Sequence, residues 1–174
     1  MKSSTIINYF SQYDKVKGNI VADTQKGIFG TSNLECVDTF FKKIQLSADD
    51  VFVDLGSGDG RVVLLASSYC NAIGIEIDSK LVQESNTHAR KLQREAVFFC
   101  QDYETYDFST TNILFSFADH FFTPAFIEKL KKEFTGTLYI YQGIFLPQEL
   151  YKGPTIWAGQ ARIISYKFPN IKEK

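Results

Sequence analysis

Residues 51–62 read Val-Phe-Val-Asp-Leu-Gly-Ser-Gly-Asp-Gly-Arg-Val, and this stretch decides the fold of the chain. Its first five residues are apolar except for Asp54, which is typical of a strand buried on both faces of a parallel sheet. The next residues contain three alternate glycines, Gly56, Gly58 and Gly60. Glycines at this spacing allow a sharp turn and let a ligand lie directly against the backbone. The apolar residues from Val62 onward then begin a helix.

The spacing of the turn indicates its ligand. A dinucleotide fingerprint has the spacing Gly-x-Gly-x-x-Gly and places a pyrophosphate at the helix N-terminus. Here the spacing is Gly-x-Gly-x-Gly, and Asp54 stands two residues before the first glycine. A carboxylate directed into the turn repels a pyrophosphate and attracts a cation. S-adenosylmethionine carries an ammonium and a sulfonium, and the turn resembles the cofactor loop of class I methyltransferases. We therefore expect this cofactor against Asp54, Gly56, Ser57, Gly58 and Gly60.

Two further acids follow the ends of the next two predicted strands. Glu76 ends the second strand, and its two oxygens can each accept a hydrogen bond from one hydroxyl of a ribose. Ile77 can cover an adenine face. Asp102 follows the third strand and can accept from the adenine amino group, while the Tyr103 amide can donate to the ring. Each acid alone also fits an ordinary strand-end turn, but three acids at three successive strand ends favour nucleoside binding.

The end of the fourth predicted strand, residues 116–122, carries the candidate reactive groups. Aromatic side chains such as Phe117 can exclude water around a methyl group and stabilise cations. A lysine acceptor, with an ordinary pKa near 10.4, must lose a proton before it attacks. Asp119 is the candidate to assist that loss or to orient the amine, although it also fits a helix-proximal cap. His120 is expected to pack or to face solvent.

The pattern of strands and helices predicts one α/β domain over residues 1–174. Its fold class is a Rossmann-like, seven-stranded, mostly parallel sheet with helices on both faces and a C-terminal antiparallel hairpin. Residues 1–30 are expected to be the least regular part, and residues 1–32 to cover the cofactor site, with the core in residues 33–174. Predicted helix boundaries are a capping box at Ser32 and Glu35, a cap at Ser79, an N-terminal Pro124 and a stop at Gly136.

Composition limits the remaining possibilities. The 174 residues carry 19 basic and 20 acidic side chains, and this balance gives no strong signal for nucleic-acid binding. Three cysteines without a paired spacing predict small buried hydrophobes in a reducing compartment, and two scattered histidines predict no metal site. The chain has no long apolar run. We therefore expect a cytoplasmic monomer without a membrane span.

Four segments carry a resemblance to a known family. They are Gly30-Thr31-Ser32, the stretch from Asp54 to Val63, Gly74-Ile-Glu-Ile, and the segment from Ile113 to Phe122. Together they resemble the seven-stranded protein-lysine methyltransferases of the disruptor-of-telomeric-silencing type and the small archaeal ones. The resemblance implies S-adenosylmethionine as cofactor, with Thr31 at its site, and a protein lysine as acceptor. The sequence departs from the pattern at Asp119-His120, where the first type carries paired asparagines.

The same residues are compatible with two other functions. The cofactor could serve a small molecule or an RNA base, although the short insertions leave little chain to build a closed small-molecule pocket. The chain could also be a non-catalytic module that binds S-adenosylmethionine. Transfer of a methyl group to a protein lysine is the leading prediction.

Overall fold

The computed structural model describes residues 2–17, 22–24, 27–29 and 31–168, with side chains described for residues 2–17 and 31–168. The helices are α1 (Ser3–Lys17), α2 (Leu34–Lys43), α3 (Arg61–Ala66), α4 (Ser79–Leu92) and α5 (Pro124–Glu133). The strands are β1 (Ala22–Thr24), β2 (Gly27–Phe29), β3 (Val51–Leu55), β4 (Asn71–Glu76), β5 (Val97–Cys100), β6 (Ile113–Ser116), β7 (Gly136–Tyr141), β8 (Lys152–Ala158) and β9 (Ala161–Phe168). A 3₁₀ turn at Tyr103–Thr105 follows β5.

Seven strands form one sheet in the order β5-β4-β3-β6-β7-β9-β8. The five strands from β5 to β7 run parallel, whereas β9 pairs antiparallel with both β7 and β8. The predicted C-terminal hairpin and the predicted fold class are therefore confirmed. Because β3 lies between β4 and β6, the chain reverses its direction of travel across the sheet there. Ligand sites of open α/β sheets lie at the carboxyl ends of strands at such a point.

Alternate residues of the central strands enter two hydrophobic cores. Phe52 and Phe115 point toward the core that α1 to α4 cover, while Val53 and Leu114 point toward the core that α5 covers. The period of two follows from the pleat of a strand, and both faces are apolar because helices cover both. This arrangement confirms the predicted helices on both faces.

The N-terminal region differs from its prediction. Residues 3–17 form the regular helix α1 instead of the least regular part of the chain. Ile6 and Phe10 are buried in the first core, and the Tyr9 hydroxyl lies 2.7 Å from His88 Nδ1 on α4. Only two residues of α1 are buried, so its apolar stripe is too narrow to read from the sequence. Gly30 lies outside the described residues.

Several boundaries shift by a few residues. The side chain that caps α2 belongs to Asn33, which accepts from the Cys36 amide at 3.0 Å, and not to Ser32. Asp78 caps α4 in the same way, so Ser79 is the first residue of the helix. Asn and Asp are at least as good N-caps as serine, which explains both shifts. Gly136 opens β7 and does not end α5. It is a glycine for another reason, because a side chain there would overlap the Asn112 carbonyl oxygen.

Two further expectations concern burial and membranes. Cys36 and Cys70 are partly buried as free thiols, but Cys100 is exposed, so the prediction of three buried cysteines is wrong for that residue. Its position explains the difference, because β5 is an edge strand of the sheet. In the described part of the chain, no helix combines the length and the apolar character that a membrane span needs.

Candidate active site

A pocket of about 550 Å³ lies at the carboxyl ends of β3, β4 and β6, a size that suits a small-molecule ligand. Ten of the twelve predicted site residues line it: Thr31, Asp54, Gly56, Ser57, Glu76, Ile77, Asp102, Tyr103, Phe117 and Asp119. The other two, Gly58 and Gly60, do not line it. The pocket also contains residues that the sequence did not single out, including Asp59, Glu104, His120 and Phe122.

The glycines of the turn after β3 have different reasons to be glycine. All three have positive φ angles, 74° at Gly56, 56° at Gly58 and 78° at Gly60. A Cβ at Gly56 would meet nothing within 4 Å, so this glycine leaves its side of the backbone open. A Cβ at Gly60 would stand 2.7 Å from the Phe98 ring and 2.8 Å from Ser85 Cβ. Gly60 therefore allows close packing of the turn on α4 and β5.

Glu76 is fixed by two backbone amides. Its Oε2 accepts from the Gly58 amide and its Oε1 from the Asp78 amide, each at 2.9 Å, and the residue is buried. The carboxylate thus joins the glycine turn to the first turn of α4. A carboxylate has about four lone-pair sites, so each oxygen can still accept another hydrogen bond. Two neighbouring acceptors held in this way suit the two hydroxyls of a ribose.

The floor of the pocket is acidic. Burial, followed by the carboxylates of Glu76 and Asp59, raises the pKa of Asp54 well above its ordinary value. Arg61 does not neutralise Asp54, because its guanidinium donates to Asp59 at 2.7–3.1 Å and to Asp14 of α1 at 2.9 and 3.0 Å. Arg61 is the only lysine or arginine that lines the pocket within the described residues. A cationic ligand is therefore favoured here.

The residues after β5 form a turn beside the pocket. Asp102 Oδ1 accepts from the Glu104 amide at 2.9 Å and so caps the 3₁₀ turn. Its other oxygen has no role in that cap. The Tyr103 ring packs on Phe126 of α5, with centroids 4.9 Å apart, and its hydroxyl lies 3.1 Å from His120 Nε2. Burial, followed by the charges of nearby acids, raises the pKa of this phenol, so it stays protonated.

Aromatic side chains surround the other end of the pocket. The Phe117 ring meets Tyr141 edge to face at 5.6 Å, and Phe121 meets Phe145 in the same way at 5.1 Å. Phe117 lines the pocket and is exposed, so this end opens to solvent in the described part of the chain. Asp119 Oδ1 lies 2.5 Å from His120 Nδ1. His120 was expected to pack or face solvent, but it also bonds two pocket residues.

The family model of the histone methylation protein DOT1 matches residues 17–140, more than two thirds of the chain. The chain belongs to the DOT1 family. A fruit-fly relative, the H3 lysine-79 specific histone-lysine N-methyltransferase of Drosophila melanogaster, is 38% identical over 77 residues. That alignment covers 42% of this chain and only 4% of the relative. Membership of the DOT1 family confirms the predicted resemblance.

Solved structures support the fold. A class I S-adenosylmethionine-dependent methyltransferase described as putative, from Listeria monocytogenes, matches with a TM-score of 0.68 and 12% identity, over 100% of this DOT1-family chain and 71% of its own. An RNA methyltransferase from Salinibacter ruber in complex with S-adenosyl-L-homocysteine matches with a TM-score of 0.64 and 22% identity, over 79% and 94%. At these identities the likeness shows the fold alone. These matches confirm the predicted Rossmann-like fold.

Proposed function

We propose that this protein transfers a methyl group from S-adenosylmethionine to the side-chain amine of a lysine in a protein. The observation that carries the proposal is the two-ended pocket. One end has a carboxylate fixed by two amides, and the other is an exposed aromatic opening that contains Phe117 and Asp119. The family description and the name of the fruit-fly relative point to the same acceptor.

The residues present fit the cofactor. Glu76 would accept from the two ribose hydroxyls, and Ile77 would cover a face of the adenine. Asp102 would accept from the adenine amino group through the oxygen that does not cap the turn, with the Tyr103 amide directed to the ring. Asp54 would accept from the ammonium of the methionine part. The bound cofactor supplies a methyl carbon made electrophilic by its sulfonium.

Thr31 and the first half of the glycine turn would border the methionine part. Gly56 and Ser57 are held against β4, because both amides donate to the Ile75 carbonyl at 2.9 Å. They would therefore shape the site through close backbone approach and not by donating hydrogen bonds. Gly58 would act indirectly through Glu76, and Gly60 through the packing of the turn.

The acceptor end suits a long side chain that enters with its amine first. Phe117 and Phe122, which both line the pocket, offer ring faces and edges to the methylene groups and to the cation. Asp119 supplies negative charge where an ammonium would arrive. In-line displacement needs the amine on the axis of the bond that breaks, so positioning by these rings accounts for much of the acceleration.

The experiment is methylation with radiolabelled cofactor of three acceptor pools: recombinant histone H3 with a protein extract, total RNA, and metabolites. Mass spectrometry then locates the methyl groups. We expect label on lysines and a loss with Asp119→Asn, while Asp107→Asn, an exposed acid outside the pocket, retains activity. Label on RNA or metabolites alone would replace the lysine acceptor, and cofactor binding without label in any pool would indicate a binding module.

The cysteines bear on the cellular compartment of the protein, and its oligomeric state can be measured directly. We propose that the protein works in the cytoplasm as a monomer. The support for the compartment is that the three cysteines form no disulfide with one another, which is typical of a reducing compartment. Size-exclusion chromatography with light scattering would measure the assembly state directly.

A further inference from the structure

Three side chains at the acceptor end of the pocket form a continuous chain of hydrogen bonds. Asp119 Oδ1 lies 2.5 Å from His120 Nδ1, and His120 Nε2 lies 3.1 Å from the Tyr103 hydroxyl. Asp119 and His120 follow β6, whereas Tyr103 follows β5, so two separate segments meet at the imidazole. All three residues line the pocket.

The direction of these hydrogen bonds fixes the tautomer of His120. An ionised carboxylate can only accept, so in the Asp119–His120 contact Nδ1 carries the proton and donates it to Oδ1. In the neutral imidazole Nε2 then carries a lone pair. The Tyr103 hydroxyl, which keeps its proton because burial raises its pKa, donates to that lone pair. A carboxylate that orients an imidazole in this way also stabilises the imidazolium formed when Nε2 takes up a proton.

We propose that His120 Nε2 takes the proton from the acceptor ammonium, that Asp119 is its positioning residue, and that the Tyr103 hydroxyl holds Nε2 in place until the acceptor arrives. This inference rests on the proposed function and assigns its proton-transfer step. The ammonium N–H bond breaks and its proton joins Nε2, which leaves a neutral amine with a free electron pair. The amine forms a bond to the methyl carbon, and the electron pair of the broken carbon–sulfur bond returns to sulfur.

His120 suits this task better than Asp119. Asp119 Oδ1 already accepts from His120 Nδ1, whereas His120 Nε2 presents its lone pair to a hydroxyl that an arriving amine can replace. The His120 side chain is 60% exposed, which lets the proton leave to water after each transfer. Within the described residues, Glu104 and Asp102 are the further charged groups that act on Tyr103 in this cluster, and Thr123 fixes Glu104 through a 2.8 Å hydrogen bond. All of these charges are negative and favour a transient imidazolium.

The first test determines the tautomer of His120 in the protein without cofactor or acceptor. Long-range proton–nitrogen NMR distinguishes the two tautomers of a neutral histidine, and the chain has only two histidines. His88, which is buried and bonded to Tyr9, serves as the internal reference. We expect His120 to carry its proton on Nδ1, and Asp119→Asn to shift it toward the Nε2-protonated form that predominates in free imidazoles. A dominant Nε2-protonated form in the wild type would overturn the proposal.

The second test is the pH dependence of single-turnover methyl transfer to a lysine acceptor. Near pH 7, His120→Gln should lower the rate about 100-fold, the lower end of the usual contribution of a general base. Near pH 10 hydroxide and water deprotonate the lysine, so the deficit should shrink to a few-fold. Asp107→Asn is the matched control and should follow the wild type throughout. If the rate of His120→Gln stays below that of the wild type by the same factor at every pH, His120 has only a structural role.

The two proposals fail in different ways. If the wild type methylates no lysine, the proposed function fails and the proton-transfer step fails with it, whatever tautomer the NMR experiment reports. If lysine methylation is observed and His120→Gln is as active as the wild type at pH 7, the proposed function stands and only the role of His120 is lost.

Discussion

Replacement of Glu76 by glutamine tests the part of the site that the structure defines most closely. Both carboxylate oxygens accept from backbone amides, Oε2 from Gly58 and Oε1 from Asp78. A glutamine side chain offers one oxygen acceptor and one NH₂ donor of nearly the same shape. Whichever way the amide turns, its NH₂ faces one of the two N–H groups. Glu76→Gln therefore leaves one backbone donor unpaired in a buried place.

The magnitude follows from that unpaired donor. A buried polar group without a partner costs about 1–3 kcal/mol, and hydrogen bonds to a charged acceptor are at the upper end of the usual range. We expect the free energy of unfolding to fall by about 2 kcal/mol. Binding of S-adenosylmethionine should weaken at least tenfold, about 1.4 kcal/mol, because one ribose hydroxyl meets a donor instead of an acceptor.

Urea unfolding followed by circular dichroism, with and without S-adenosylmethionine, separates the two effects. The loss of stability appears without ligand, and the loss of affinity appears as a smaller ligand-induced stabilisation. Glu128→Gln is the matched control, since Glu128 is exposed and pairs with Lys131 on the same helix. An unfolding midpoint equal to the wild type would show that Glu76 does not hold the two amides. Unchanged affinity by calorimetry would remove it from the cofactor site.

Three further predictions concern the turn, the acidic floor and the first core. Gly60→Ala should cost about 1–3 kcal/mol more than Gly56→Ala, because both have positive φ but only the first would place a methyl against Phe98; urea unfolding measures the difference. Burial is the first cause of the raised pKa of Asp54, because it disfavours the charged carboxylate in the folded protein. The free energy of unfolding therefore falls as the pH rises from the ordinary pKa of an aspartate toward the raised pKa of Asp54. Asp54→Asn should therefore be more stable than the wild type at pH 7 but bind the cofactor at least tenfold more weakly, about 1.4 kcal/mol by calorimetry. Burial lowers the pKa of His88 in the folded protein. The stability that neutral His88 contributes is therefore complete above the ordinary pKa near 6.5, and it is lost as the pH falls through the lowered pKa of the folded protein. Unfolding between pH 7.5 and 5.5 should show this loss, and His88→Gln should remove it.

The sequence predicted single strands, turns and helices well, but it predicted contacts between distant segments of the chain poorly. Residues 51–66 could be read because strand, turn and helix each follow from their own residues, and β9 was predicted from its own β-rich run. Helix α1 was missed because the groups that hold it come from elsewhere in the chain. Asp14 bonds to Arg61, and Tyr13 and Lys17 bond to Glu84. No pattern within residues 3–17 contains that information.

The candidate site shows the same division. Glu76 and Asp102 were recognised because each follows a predicted strand. His120 was recognised only as a residue without a role, because its partner Tyr103 lies 17 residues away on another segment. The one available signal was that the parallel strands β3 to β6 place their carboxyl ends at the same edge of the sheet. That rule brings the residues after β5 and β6 near one another, but it does not predict which side chains make contact.

The position of Gly58 changes how the glycine turn should be understood. Its amide donates to Glu76 and its carbonyl accepts from the Ser85 hydroxyl at 3.0 Å, so both backbone groups are committed within the protein. Gly58 therefore does not contact the pocket but orients the carboxylate that does. On the other side of the turn, Arg61 joins Asp59 to Asp14 of α1. The turn is thus held by α4 and α1 before any ligand arrives, and an acceptor that is already held in place loses less entropy when a ligand binds to it.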